Sequence, residues 1–80
     1  MESTELLSYI NKIFIDIFNN KSIVLNDTTT VDDIAEWNSL NHIQIITAIE
    51  SRFNITFELN ELLNFNDIGD LCRCVQAKLN

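Results

Sequence analysis

Few residues in this chain could act on a substrate: Ser39, His42, a scatter of carboxylates, and Cys72 with Cys74. Ser39 and His42 lie one helical turn apart, which is the reach a general base needs from a serine nucleophile. A hydrolase of that type also needs a third group to orient the base and a prepared oxyanion site, and a short strand-free chain offers little from which to build them. The residues read more simply as a capping serine and a histidine at the rim of a core. Cys72 and Cys74 stand two apart in a predicted helix and point in different directions, so they do not pair. With a single histidine far upstream they make no zinc site either. Cys72 is small apolar filler and Cys74 lies nearer the surface. No catalytic or metal-ligating set is expected, and Ser39 is a better substrate than catalyst.

The element that presents Ser39 is a helix. Ile45, Ile46, Ile49 and Phe53 share one arc of a helical wheel, with His42 on that arc and Ile43 at its edge. The opposite arc carries Leu40, Gln44, Thr47, Ala48 and Ser51. Asn38 or Ser39 caps the start, because a short polar side chain accepts a bond from the free N–H groups of the first turn. Trp37 reads as a large anchor over the loop–helix junction. Asp32, Asp33 and Glu36 place negative charge just ahead of it, a solvated face that also suits a basic partner.

The remaining segments follow the same helical spacing. Ser3 or Thr4 caps a first helix whose arc is Leu6, Leu7, Ile10, Ile13, Phe14, Ile17 and Phe18, ending near Asn19. Ile15 falls outside the arc, toward solvent, and Tyr9 flanks it as a rim residue. From Asn20 to Asn38 runs a long loop, pinned along the bundle by Ile23, Val24, Leu25, Val31 and Ile34. Ile55 and Phe57 plug the bundle end. A short helix from about Glu58 to Asn64 turns Leu59, Leu62 and Leu63 inward and leaves Glu58 and Glu61 to solvent. Asn66 caps the last helix, with Asp67 and Asp70 in its first turn and Lys78 in its last, an order that suits the helix dipole. Its inner arc is Ile68, Leu71, Cys72, Val75 and Leu79. Gly69 sits inside that first turn at some cost in stability and leaves room for close packing, against a neighbour the sequence does not name. The sum is an all-α four-helix bundle with three longer helices, one short third helix and a long first loop, in a single domain spanning 1–80.

Composition limits the function. An apolar fraction of 46 % with 21 % charged residues is that of a folding chain. Twelve acidic against five basic residues give a net charge of -7, which repels nucleic acid and favours basic protein partners. No stretch is apolar enough to span a bilayer, and the acidic start Met1-Glu2-Ser3-Thr4-Glu5 is unlike a signal peptide, so the cytoplasm and a monomer are expected.

Trp37-Asn38-Ser39-Leu40-Asn41-His42-Ile43, followed by Ala48-Ile49-Glu50-Ser51-Arg52-Phe53-Asn54-Ile55, resembles the acyl carrier proteins, and among them the small stand-alone carriers with tryptophan ahead of the attachment motif. The likeness runs from about Leu6 to Leu79. It implies that a phosphopantetheinyl transferase attaches 4'-phosphopantetheine from coenzyme A to Ser39. An acyl or aminoacyl group then rides on the arm as a thioester, put there by a loading enzyme and passed to downstream transferases or synthases. It further implies that Glu36, Trp37, Asn38, Leu40, Gln44 and Thr47 form the partner-docking surface. The family usually has aspartate at the position of Asn38, where the carboxylate helps hold the magnesium used in arm transfer. Asparagine keeps the cap and an oxygen donor but loses the charge. The central helix, typically strongly acidic in fatty-acid carriers, here has Glu50 as its one carboxylate, which points to a specialised biosynthetic pathway. The alternative is a small helical interaction module that uses the Trp37 and Leu40 surface without an arm.

Overall fold

The computed structural model describes residues 2–79, with the side chains of Leu63 and Asn64 outside the described set. Four helices follow in order, α1 Ser3–Phe18, α2 Ser39–Phe53, α3 Leu59–Asn64 and α4 Ile68–Leu79, and the described residues contain no strand. A single 3-10 turn, Val31–Asp33, interrupts the long first loop. The bundle predicted from helical spacing is the one observed.

Leu6, Ile10 and Phe14 recur every fourth residue on α1 and are fully buried, in one core with Ile45 and Ile49 of α2 and Ile68, Leu71 and Val75 of α4. Ile15 is half-buried against this core rather than exposed, so the apolar arc of α1 is wider than its strongest residues mark. Phe53 is also only half-buried, with its ring edge-on to Tyr9 at 6.2 Å. Asn19 and Asn54 end α1 and α2 at φ of 52° and 56°, in the left-handed region where glycine is usual and asparagine is the next most tolerated residue. The chain thereby ends two helices without spending a glycine.

The caps depart from the sequence expectation at α1 and α4, and the setting of Glu61 departs from it at α3. Glu2 occupies the capping position of α1 without a side-chain bond, which places Ser3 and Thr4 inside the helix. At α4 the cap is Asp67 rather than Asn66: its Oδ1 accepts from Asp70 N–H at 2.9 Å, while the Asp70 carboxylate accepts from Asn66 N–H at 2.9 Å. At α3, Glu61 accepts from Glu58 N–H at 2.7 Å and pairs with Lys78 at 2.8 Å, so it is tied down rather than free. Leu59 is exposed, contrary to its expected inward turn, and Leu62 is half-buried. The expectation for Leu63 lies outside the described side chains. Phe57 is buried as the end plug, held by its N–H donating to Glu50 Oε2 at 2.8 Å. Both cysteines are free, Cys72 buried and Cys74 half-buried.

The long loop is pinned through a polar side chain that apolar patterning does not reveal. Asn11 of α1 accepts from Leu25 N–H at 2.6 Å and donates to Ile23 O at 3.1 Å. Extended backbone there alternates, so Ile23 and Leu25 turn inward and Val24 points out. Val31 is likewise exposed, and neither valine is a pin. Farther on, Thr29 O and Asp27 O accept from Ile68 and Gly69 N–H, each at 2.9 Å, capping α4 with loop carbonyls. Gly69 is therefore the point of closest approach: a Cβ there would lie 2.8 Å from Asp27 O.

Two substitutions test this packing in denaturant melts. Ile49→Ala, at a fully buried site, should cost about 2–5 kcal/mol through the cavity it leaves. Gly69→Ala, which in an open helix gains about 0.5–1 kcal/mol, should instead destabilise by about 1–3 kcal/mol because backbone must give way. A stabilised Gly69→Ala protein would mean that the loop does not rest on α4.

Candidate functional site

The site lies where the long loop enters α2. Ile34 and Trp37 are buried at the end of the loop, and Trp37 N–H donates to Ile34 O at 3.1 Å. The indole meets Phe14 edge-on at 5.0 Å and stacks with His42 at 5.8 Å, and its Nε1–H donates to His42 Nδ1 at 3.1 Å. Trp37 is thus the junction anchor, only 8 % exposed. On its other side His42 meets Phe65 at 5.7 Å. Since Nδ1 accepts, the proton of the neutral ring sits on Nε2. Burial holds His42 below the ordinary imidazole value, which favours that neutral form.

Of the two candidate caps, Asn38 is the one used. Its Oδ1 accepts from Leu40 and Asn41 N–H, each at 3.0 Å, and Asn41 Oδ1 accepts in return from Asn38 N–H at 2.7 Å. Asn41 also donates to Glu36 O. This reciprocal box satisfies the first turn with asparagine at both of its ends. Ser39 is left as the first helical residue, exposed and outside the capping network.

The acidic residues before α2 do structural work as well as carrying charge. Asp33 accepts from Thr30 N–H at 2.9 Å, and Glu36 accepts from Asn20 Nδ2 at 2.7 Å, fastening the loop to the end of α1. Asp32 is exposed. On the outer face of α2, Leu40 is 72 % and Ile43 64 % exposed, with Gln44, Thr47 and Ser51 also open to solvent. Ile43, Gln44, Thr47, Ala48 and Ser51 join Ile17 of α1 around a shallow, mainly apolar depression.

A second hollow, of about 430 Å³, opens at Ser39 itself. It is lined by the apolar side chains of Val31, Trp37, Leu62 and Phe65 and by Asn38, Ser39 and His42. Trp37, Asn38, Ser39 and His42 come together here, and Leu40, Gln44 and Thr47 stand on the outer face, whereas Glu36 is drawn to Asn20 at the end of α1. Sequence reasoning missed that His42 lines this groove, and it missed Val31 and Phe65. Asn41 was also missed, although an asparagine three residues after a capping asparagine is the signal a capping box leaves.

The family model for the phosphopantetheine attachment site matches residues 8–75. The chain belongs to the acyl carrier protein family. The fold is similar to the solution NMR structure of a holo acyl carrier protein from Geobacter metallireducens, with a TM-score of 0.88 and 38 % identity over 92 % of this chain and 85 % of that one. No curated protein matches the chain. As a carrier protein it is not an enzyme but a substrate of a phosphopantetheinyl transferase, and it works with the enzymes of a pathway. Its cofactor is covalently bound 4'-phosphopantetheine. The groove suits such a group, because an exposed hydroxyl stands beside a hollow lined by both apolar and polar side chains. Among the described residues, no helix is long and apolar enough to cross a membrane.

Proposed function

We propose that Ser39 is the residue that bears the phosphopantetheine arm of this acyl carrier protein, and that residues 1–80 act as one carrier domain, monomeric and cytoplasmic. The observation that carries the assignment is the position of Ser39: first residue of α2, exposed, beside the groove, with the cap supplied by its neighbour. The bound arm supplies a thiol on which an acyl or aminoacyl group travels as a thioester. In attachment, Ser39 Oγ bonds to the diphosphate phosphorus of coenzyme A that carries the pantetheine, the nucleotide portion leaves with the former bridging oxygen, and the serine proton passes to the transferase. The chain's own part is to hold that hydroxyl still. Asn38 and Asn41 fix the first turn, and Trp37 fixes the loop before it. Asn38 brings an oxygen but no charge, so any carboxylate ligand for magnesium comes from elsewhere.

Docking of the loading enzyme and the downstream transferases or synthases follows from the surface around Ser39. Leu40, Gln44 and Thr47 form an exposed face without charge, flanked by the acidic stretch that contains Asp32 and Glu36. Glu50, the carboxylate of α2, is half-buried and engaged with Phe57 N–H. Contact on this face therefore rests on apolar fit, with the flanking acids steering approach. A partner set of this kind fits a specialised biosynthetic pathway.

Intact mass of the wild type after incubation with a phosphopantetheinyl transferase, magnesium and coenzyme A should rise by one arm, and Ser39→Ala should stay unmodified. Unmodified wild type across a panel of transferases would instead favour an interaction module without an arm, and a modified Ser39→Ala protein would place the arm elsewhere. With the arm in place, Leu40→Ala should sharply slow loading by the cognate enzyme, while Glu50→Gln, which keeps an oxygen for Phe57 N–H, should change it by less than about threefold, under roughly 0.7 kcal/mol. Rates at two ionic strengths should differ only moderately. A dominant effect of Glu50→Gln would reject this docking face.

A further inference from the structure

On the reading that Ser39 bears the arm, we propose that His42 is a positioning residue for it: the imidazole Nε2–H, the one donor that Trp37 leaves free, holds a phosphodiester oxygen at Ser39. The donor is fixed by its neighbours. Trp37 Nε1–H occupies Nδ1 at 3.1 Å, which assigns the ring proton to Nε2. Trp37 on one side and Phe65 on the other hold the ring, so a bond from Nε2–H costs little further ordering. Ser39 and His42 are one turn apart on α2 and line the same groove.

Apart from the Asn38 amide nitrogen and the Ser39 hydroxyl, His42 is the free side-chain donor in the groove lining. Val31, Trp37, Leu62 and Phe65 are apolar wall, and Asn38 spends its side-chain oxygen on the Leu40 and Asn41 amides. No Asp, Glu, Lys or Arg is among the lining residues. On the flanking elements, Asp33 is bound to Thr30, Glu36 to Asn20, and Glu61 of α3 to Lys78 of α4. A phosphodiester would thus bring the first charge into the hollow, and His42 is the lining side chain whose donor is set by a ring neighbour and whose charge can change to meet it.

The arrangement makes a titration the direct probe. Protonating His42 places a second N–H at Nδ1, opposite the donor of Trp37, and the indole–imidazole bond is lost. An anion at Nε2 favours the imidazolium, so attachment of the arm should raise the His42 pKa and move that rupture to higher pH. His42 is the only histidine in the chain, and its ring signals need no assignment.

Long-range ¹H–¹⁵N spectra of apo and holo protein, with the extent of modification read separately by intact mass, test the proposal. The apo protein at neutral pH should show Nε2 protonated and Nδ1 bare. In the holo protein the midpoint should rise by at least about half a pH unit, about threefold in proton affinity, and the ³¹P signal of the arm should step at the same midpoint. That step should vanish in His42→Phe, while His42→Gln, which keeps an N–H donor, should hold the ³¹P signal displaced without titrating. An Nδ1–H tautomer, equal midpoints in apo and fully modified holo protein, or a ³¹P signal indifferent to the His42 midpoint would overturn the role. Absence of modification is a failure of the Ser39 assignment instead, visible in the mass. If His42→Phe does not fold, the apo–holo comparison of the wild type decides alone.

Discussion

Trp37 closes the chain on itself at the one place where the long loop must become a helix. Its ring sits between Phe14 of α1 and His42 of α2. Burying such a side chain contributes a few kcal/mol through area, and an aromatic pair adds roughly 0.5–1.5 kcal/mol. Ordering each loop residue costs about 1–2 kcal/mol, so one anchor cannot hold everything between Asn19 and Asn38. Ile23, Leu25 and Ile34 share the load with the two bonds of Asn11 and the loop carbonyls that cap α4. Because both ends of the loop are fixed, α2 begins at a defined residue, and that residue is Ser39.

A carrier must keep its core intact while exposing one hydroxyl to several enzymes, and α2 separates these tasks by face. Ile45, Ile46 and Ile49 are buried on one side, and Leu40, Gln44 and Thr47 stand open on the other. The chain is acidic, yet much of its negative charge is occupied in ending helices and turns. Backbone N–H groups hold Glu61 and Asp70 below the usual carboxylate range, at Glu58 and Asn66 respectively, helped by Lys78 and Arg73. Such carboxylates are poor docking charges because their oxygens already have partners. What remains near Ser39 is a neutral, partly apolar surface bordered by acid.

Helix order and the core were legible from spacing, since isoleucine and leucine at three- and four-residue intervals have one economical arrangement. The place of Ser39 was legible from its motif. The caps were less so: adjacent short polar residues, Asn38 with Ser39 and Asn66 with Asp67, compete for the same geometry, and backbone direction decides between them. Val24 and Leu59 read as inward because apolar residues were assigned to the core one by one, whereas an extended segment alternates and a six-residue helix has little face to bury. The polar ties made by Asn11 and Glu50 left no trace in the pattern, because their partners are backbone amides distant in sequence. His42 was placed correctly at the rim, but the neighbour that fixes its tautomer could be found only in three dimensions.

The central claim is that the start of α2 is rigid while its first hydroxyl is free, and hydrogen exchange of the apo protein tests it most directly. The Leu40 and Asn41 amides, bonded to Asn38, and the Trp37 indole N–H, bonded to His42, should be protected to the same order as amides in the middle of α2. Exchange of all three at the rate of an unstructured chain would contradict the account, because Ser39 would then sit on a frayed end with no defined groove beside it.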